Sequence, residues 1–417
     1  MLRTTHHVPM SQPPVDRPRI GIDVTSALTQ GGGIGRYTRE LVQALAQVDK
    51  KHDYHLFSAR PPDALPVPDP LPQNDHFRHH PAPISEQWLY RLWYRLNLPL
   101  PVQWFTGPLA LFHSPDFVLP PVSGRIPTLL TVHDLSFHHY PEYFTPSLVN
   151  YLNRVVPHSV ARATHILADS QATKDDLCAI WQVAAAKITV LYSGVSPAFK
   201  PVQNPHELTA VRQKYDLGDW PYLFSVSTIQ PRKNYQMLIR AFKSLTHSWP
   251  HHLVIAGGKG WLYEEILAEV EKQGLQERVH FLGFVSDADL PALYTQATLL
   301  LFPSFYEGFG LPLLEAMACG VPVVSSNASC LPEVVGEAGR LLSPHDEAGW
   351  TATVHKLLLD GRERGRMVAN GFRQAHQFTW KKAARQLIEI YQGLLTAETQ
   401  RTQRTQRKGK RTGPPGG

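Results

Sequence analysis

The feature that most constrains this chain is an alternation that occurs twice. In the first series, short β-branched or apolar runs fall at 19–25, 54–58, 109–113, 126–132, 164–168 and 187–192. Helical periodicity separates several of them: one stretch carries Tyr37, Leu41, Leu45 and Val48, and others lie at 147–162 and 171–181. A second series begins at Tyr222, with strands near 222–227, 252–257, 279–284, 298–303, 321–325 and 340–342. Helical patterns at 235–247, 261–273, 287–297, 311–319 and 346–359 lie between them. Strands joined through helices run parallel, because the crossover must pass over a face of the sheet. Two such series predict two doubly wound, Rossmann-like α/β domains facing one another across a cleft.

The expected organisation is a disordered arm at 1–17, a first domain at 18–200 and a second at 201–379, divided at the Pro/Ser/Gly-rich segment 193–205. A last helix, 380–397, follows Phe378-Thr-Trp380 and is expected to pack back on the first domain, leaving a basic, disordered tail at 398–417. Ligands in such sheets lie beyond the carboxyl ends of the strands, so the cleft is the expected site.

Charge and cysteine content narrow the function classes. Of 41 Lys and Arg residues, six fall in 401–417, which holds no acidic residue; the other 400 residues carry 35 charges of each sign. The basic excess therefore belongs to a tail, not to a nucleic-acid-binding body. The tail either touches anionic lipid or does nothing. Cys178, Cys319 and Cys330 form no CxxC or Cys/His metal spacing, which argues against a disulfide scaffold and a zinc module. The N-terminal residues lack an apolar signal-type segment, and no run of 18 apolar residues occurs; a cytoplasmic protein is expected.

The densest chemical signal is Phe302-Pro-Ser-Phe-Tyr-Glu-Gly-Phe-Gly-Leu-Pro-Leu-Leu-Glu315. A buried-type strand runs into a glycine turn and then a helix whose first turn accepts Pro312. The amides of Gly308, Phe309 and Gly310 would be free at the positive helix end, a site suited to a diphosphate. Glu307 on the turn and Glu315 in the helix are placed to meet a sugar and ribose hydroxyls; a glutamate that only stabilises the helix dipole explains either residue alone equally well. Arg232 and Lys233, in Ser227-Thr-Ile-Gln-Pro-Arg-Lys-Asn234, end another strand facing the same cleft. Two cations there would neutralise a diphosphate and stabilise it as it leaves, although an isolated Arg-Lys pair is usually a solvated loop.

Other features are weaker. The glycine loop 31–35 is either a tight strand-to-helix turn or a place where backbone approaches a phosphate or an acceptor. Its glycines begin six residues after the first strand, which argues against a dinucleotide oxidoreductase. His133, at a strand end in TVHD, could bond a sugar hydroxyl or be structural. Asp287-Ala-Asp289 matches a DxD metal triplet, but Ser286 before it and Leu290, Leu293 and Tyr294 after it read as a helix cap, so no metal is expected. In Trp88-Leu-Tyr-Arg-Leu-Trp-Tyr-Arg-Leu96, a stripe of Leu89, Leu92, Trp93 and Leu96 adjoins Trp88, Arg91 and Arg95. Such an edge suits membrane headgroups or a lipid-linked acceptor; a helix half-buried in its own domain is the commoner origin.

Taken in order, GGGIGRY, TVHD, ADSQATKDDL, SGVSPAF, STIQPRKN, AGG and FYEGFGLPLLEAMACGVPVVSS resemble the family 4 (group 1) retaining glycosyltransferases of the GT-B fold, over nearly the whole chain. Glu307 and Glu315 match that family's E-x7-E element. The resemblance implies that Arg232 and Lys233 hold a sugar-nucleotide diphosphate, and that Glu307 and the amides of Gly308, Phe309 and Gly310 engage the hexose. It also implies that Glu315 binds the ribose, residues near Phe284 the base, and that His133 contacts the hexose or aligns the reacting centre. Gly32 and Gly33 would close on the diphosphate and the acceptor. It further implies a front-face mechanism with retention, no metal and no cofactor beyond the nucleotide-sugar substrate. Overall similarity is to bacterial mannosyltransferases of surface-polysaccharide assembly, so the expected reaction moves mannose from GDP-mannose to a glycan or lipid-linked acceptor. Peripheral contact with the cytoplasmic face of the inner membrane goes with that role. UDP- or ADP-sugar donors, and an epimerase or hydrolase on the same frame, are the alternatives. Intact Arg232, Lys233, Glu307 and Glu315 argue against a catalytically idle subunit.

Overall fold

The computed structural model describes residues 17–61, 71–96 and 98–411, with side chains left undescribed at 402 and 404–411. The expected arm at 1–17 lies outside the described residues except for Arg17. The first sheet contains β1 (Arg19–Asp23), β2 (Asp53–Ser58), β3 (Phe77–Pro81), β4 (Leu111–Ser114), β5 (Thr128–Val132), β6 (His165–Ala168) and β7 (Ile188–Val190), in the order β3-β2-β1-β4-β5-β6-β7. The second contains β8 (Tyr222–Val226), β9 (His252–Ala256), β10 (Val279–Gly283), β11 (Leu299–Phe302), β12 (Val323–Ser326) and β13 (Arg340–Leu342), in the order β10-β9-β8-β11-β12-β13. Each pairing is parallel.

Both sheets are covered by helices on two faces, so their central strands are buried end to end: β5 and β11 expose no residue. The helices that matter for the site are α1 (Gly33–Val48), α2 (Gln171–Trp181), α3 (Leu311–Ala318) and α4 (Trp380–Arg411). In each sheet the strand order reverses once, between β1 and β4 and between β8 and β11. The carboxyl ends of the strands diverge at those points and leave a crevice.

Three differences from the sequence expectation have physical reasons. The edge strand β3, Phe-Arg-His-His-Pro, was not anticipated, because only Phe77 and the pairing to β2 mark it as a strand. The helix Gly361–Ala375 was also missed; it contains three glycines and buries little beyond Met367, Gly371 and Ala375 on its apolar side. The expected disordered tail is corrected in part: α4 continues through 398–411 to Arg411, in a stretch free of glycine and proline until Gly409. Residues 412–417 lie outside the described residues. The other end of α4 packs Trp380, Ala383, Ala384, Leu387 and Tyr391 into the core of the first domain, beside α1.

The 86–96 segment departs from the predicted stripe. An α-helical turn, Glu86–Tyr90, passes into a π-helical turn, Arg91–Arg95, closed by a hydrogen bond from the Leu96 amide to the Arg91 carbonyl at 2.9 Å. The wider turn brings Tyr94 inward beside Leu89 and Trp93, while Leu96 is 61% exposed. Trp88 is exposed and carries the Arg91 guanidinium over its ring. No helix among the described residues is long and apolar enough to cross a membrane.

Candidate active site

The loops after β8 and β11, adjacent strands at the second reversal point, bring Arg232, Lys233 and Glu307 together. Lys233 Nζ lies 2.6 Å from Glu307 Oε1 and Arg232 Nη1 lies 3.2 Å from Oε2, all three side chains being buried. Burial alone would raise the Glu307 carboxyl, but the Lys233 ammonium and the Arg232 guanidinium hold it down to about 2. Burial and the neighbouring Arg232 lower Lys233. From the sequence, the cations were expected to face only an anionic ligand. The structure gives them a carboxylate, leaving two cations to one anion and an excess of positive charge.

The turn that carries Glu307 ends in α3. Gly310 precedes the helix at φ +101°, a conformation that a side chain would strain. The amides of Gly308, Phe309 and Gly310 donate to no group among the described residues. Phe309 is buried against Tyr192 and Phe378. Gly308 marks where the domains meet: a Cβ there would lie 2.2 Å from the His133 carbonyl oxygen. Backbone of the first domain thus reaches the glycine turn of the second.

His133, at the end of β5, has both ring nitrogens occupied. Nδ1 lies 2.7 Å from Asp169 Oδ2, and Nε2 donates to the Pro115 carbonyl at 3.1 Å. The ring sits edge-on between Tyr37 and Phe117. Burial opposes its charge, but the Asp169 carboxylate prevails and lifts it to about 9. Both ring nitrogens of His133 thus have protein partners. A charged ring fixed between two acceptors positions the backbone carbonyl that touches Gly308.

Glu315 is also occupied. Arg36 Nη1 lies 2.7 Å from its Oε1, and the Tyr294 hydroxyl donates to Oε2 at 2.9 Å. Burial raises this carboxyl against the pull of Arg36. Arg36 also reaches Asp287 at 3.2 Å and stacks on Phe199. Arg36 was not singled out from the sequence, although GGGIGRY contains it: the glycine loop was read for its backbone. Gly32 and Gly33 open α1, Gly33 at φ +52°, and space is open around both. Phe284 follows β10 with 61% of its surface exposed, free to stack on a flat ring. Asp289 accepts from Lys214, Tyr215 and Ser286, and Asp287 pairs with Arg36, so both acidic residues of the DxD-like triplet have protein partners.

Comparison with known proteins bears on the family. The model "Glycosyltransferase Family 4" matches residues 31–199, and "Glycosyl transferases group 1" matches residues 209–374. O-antigen chain mannosyltransferase B of Escherichia coli is 35% identical over 86% of this chain and 95% of its own. The chain belongs to the family 4 glycosyltransferases. Among solved structures, sucrose-phosphate synthase from Thermosynechococcus elongatus aligns with a TM-score of 0.71 at 21% identity, over 91% of this chain and all of that one. Anabaena HepE, solved with UDP-glucose, aligns with a TM-score of 0.67 at 19% identity, over 90% and 99% of the two chains. These likenesses show the GT-B fold. The transferase carries its E-x7-E element at the second reversal point, and the first domain reaches that element through Arg36 and the His133 carbonyl.

Proposed function

We propose that this glycosyltransferase moves mannose from GDP-mannose to a glycan or lipid-linked acceptor, with retention at the anomeric carbon and without a metal ion. The observation that carries this reading is the meeting of Arg232 and Lys233 with a glycine turn whose three amides have no partner among the described residues. A diphosphate there finds cations and N–H donors without a divalent ion. The similarity to an O-antigen chain mannosyltransferase supports mannose.

In the proposed step, the bond from the anomeric carbon to the diphosphate oxygen breaks, and the acceptor oxygen bonds to the same face of the sugar. The acceptor proton passes to the departing phosphate. Negative charge grows on the diphosphate as this happens, so Arg232, Lys233 and the turn amides bind the transition state more strongly than the ground state. Glu307, held ionised, lies where positive charge develops on the sugar. A lipid-linked acceptor sets the reaction at the cytoplasmic membrane face, and the exposed Trp88 with Arg91 and Arg95 supports that placement.

The test is a thermal-shift series with GDP-, UDP- and ADP-sugars followed by transfer assays with and without EDTA. A bound donor at a hundredfold excess over Kd stabilises by about 2.7 kcal/mol. Stabilisation by GDP-mannose and EDTA-resistant transfer are expected. Stabilisation only by another sugar nucleotide would refute the donor, and activity lost to EDTA and restored by Mg²⁺ would refute metal independence.

A further inference from the structure

The turn that carries Glu307 rests on a second loop. β12 lies next to β11 in the sheet, so the residues that follow it come up beside the residues that follow β11. Ser329 and Cys330, between β12 and the short helix Leu331–Val335, make the contact. Ser329 Oγ accepts from the Glu307 amide and donates to the Glu307 carbonyl, each at 2.9 Å. Cys330 Sγ lies 3.1 Å from the Glu307 carbonyl oxygen and 3.2 Å from that of Phe309, so its one hydrogen serves two acceptors. Cys330 is fully buried, and burial keeps its thiol well above the ordinary range, in the protonated form that donates. Ser329 holds φ +46°, a left-handed conformation that residues with a side chain seldom adopt. Such a backbone persists only where its surroundings impose it, and the two bonds to Glu307 are among those that do.

The carbonyls held by these side chains belong to the peptide planes that contain two of the unpartnered amides. A trans peptide is flat, with its C=O and N–H pointing in opposite directions. The Glu307 carbonyl shares its plane with the Gly308 N–H, and the Phe309 carbonyl shares its plane with the Gly310 N–H. Holding both carbonyls toward the 329–330 loop therefore turns both N–H groups away from it. Gly308, Phe309 and Gly310 are buried, and a buried N–H without a partner is costly unless a ligand supplies one. Glycine restricts its own backbone least, so without the loop either plane would be free to flip and take its amide inward. We propose that Ser329 and Cys330 are positioning residues of the transfer reaction: they fix the 307–308 and 309–310 peptide planes so that the Gly308 and Gly310 amides face the donor diphosphate. They act through the turn and not on the donor.

The inference rests on the diphosphate site proposed above. The probe is inorganic pyrophosphate, which requires neither the base nor the acceptor to be known, titrated calorimetrically into the full chain. Ser329→Gly suits a backbone at φ +46° and removes only the hydroxyl; Cys330→Ala removes the thiol, and Cys330→Ser leaves a hydrogen-bond donor in its place. Ser329→Gly and Cys330→Ala should each weaken pyrophosphate binding by about fivefold or more, the order of one lost hydrogen bond, with little change in the ligand-free melting temperature. Cys330→Ser should bind more tightly than Cys330→Ala. In kinetics with the sugar nucleotide that stabilises the protein, kcat should fall further than the donor KM rises, because charge on the diphosphate grows as it leaves. The inference is overturned if folded Ser329→Gly or folded Cys330→Ala binds pyrophosphate as the wild type does, or if Cys330→Ser gains nothing over Cys330→Ala. A wild type that neither pyrophosphate nor any sugar nucleotide binds would instead refute the diphosphate site, and the positioning role with it.

Discussion

Arg232, Lys233 and Glu307 form a buried cluster in which the surplus is one cation, and this decides how their removal should read out. Truncating either cation leaves Glu307 with a single cationic partner and, in the proposed step, the departing diphosphate with less stabilisation. Arg232→Ala and Lys233→Ala should each lower kcat by about 10²-fold, by analogy with losing one preorganised donor, with a smaller change in donor KM. Donor-dependence kinetics on folded variants check this; a change confined to KM would place the cations in ground-state binding only. His133 gives a pH prediction. Its pKa rises on folding from an ordinary 6.5 to about 9, so its contribution to stability is complete below pH 6.5 and is lost as pH climbs through 9. A shift of that size is worth on the order of 3 kcal/mol. His133→Gln should lower the melting temperature at pH 6 and flatten its fall between pH 6.5 and 9.5. Parallel melting curves for both proteins across that range would show that the native ring is neutral.

At the level of elements, α4 is the clearest case of one segment serving another domain. Its buried residues, 380, 383, 384, 387 and 391, recur at helical spacing, which made the helix readable from sequence. Their partners were not readable. The Tyr391 hydroxyl bonds His113 Nδ1 at 2.8 Å, and His113 Nε2 in turn meets the Thr131 hydroxyl at 3.1 Å. Burial lowers His113 to about 3, so the ring is neutral and dependent on these bonds. Tyr391→Phe should cost about 1–3 kcal/mol by leaving a buried nitrogen unpaired, and Trp380→Ala about 3–5 kcal/mol by opening a cavity. Denaturant titration measures both; a neutral Tyr391→Phe would mean that water replaces the hydroxyl. The same contrast explains what the sequence revealed elsewhere. The glycine turn and the Arg-Lys loop were legible because strand ends carry their signals locally. That β8 and β11 are neighbours, and so pair Glu307 with both cations, is a property of sheet order. The π turn at Arg91–Arg95 was hidden because nothing in Arg-Leu-Trp-Tyr-Arg distinguishes an i→i+5 bond from an α-helical one, and with it went the inward position of Tyr94.

Across the whole molecule, the domains are joined by polar contacts. The Glu333 carboxylate accepts from the amides of Gln171 and Ala172 at the start of α2, each at 2.8 Å, and from the Tyr192 hydroxyl at 3.0 Å. The Trp261 indole donates to the Tyr143 carbonyl, and the Tyr306 hydroxyl bonds Asp176. Arg36 is different from these, because its partner Glu315 belongs to the E-x7-E element itself. With Arg36 removed, Glu315 is a buried carboxylate without a counter-charge, a defect worth about 3–5 kcal/mol when the pair is fully desolvated. That cost can be relieved by protonating Glu315 or by separating the domains so that water reaches it. Arg36→Met should therefore open the cleft: its radius of gyration by small-angle scattering should exceed that of the wild type, and donor KM should rise as closure is lost. Glu315→Gln removes the uncompensated charge, so adding it to Arg36→Met should restore the compact state and change stability by much less than the sum of the two single effects. Additive effects in this double-mutant cycle, or an Arg36→Met protein as compact as the wild type, would mean that Arg36 and Glu315 touch without holding the domains together.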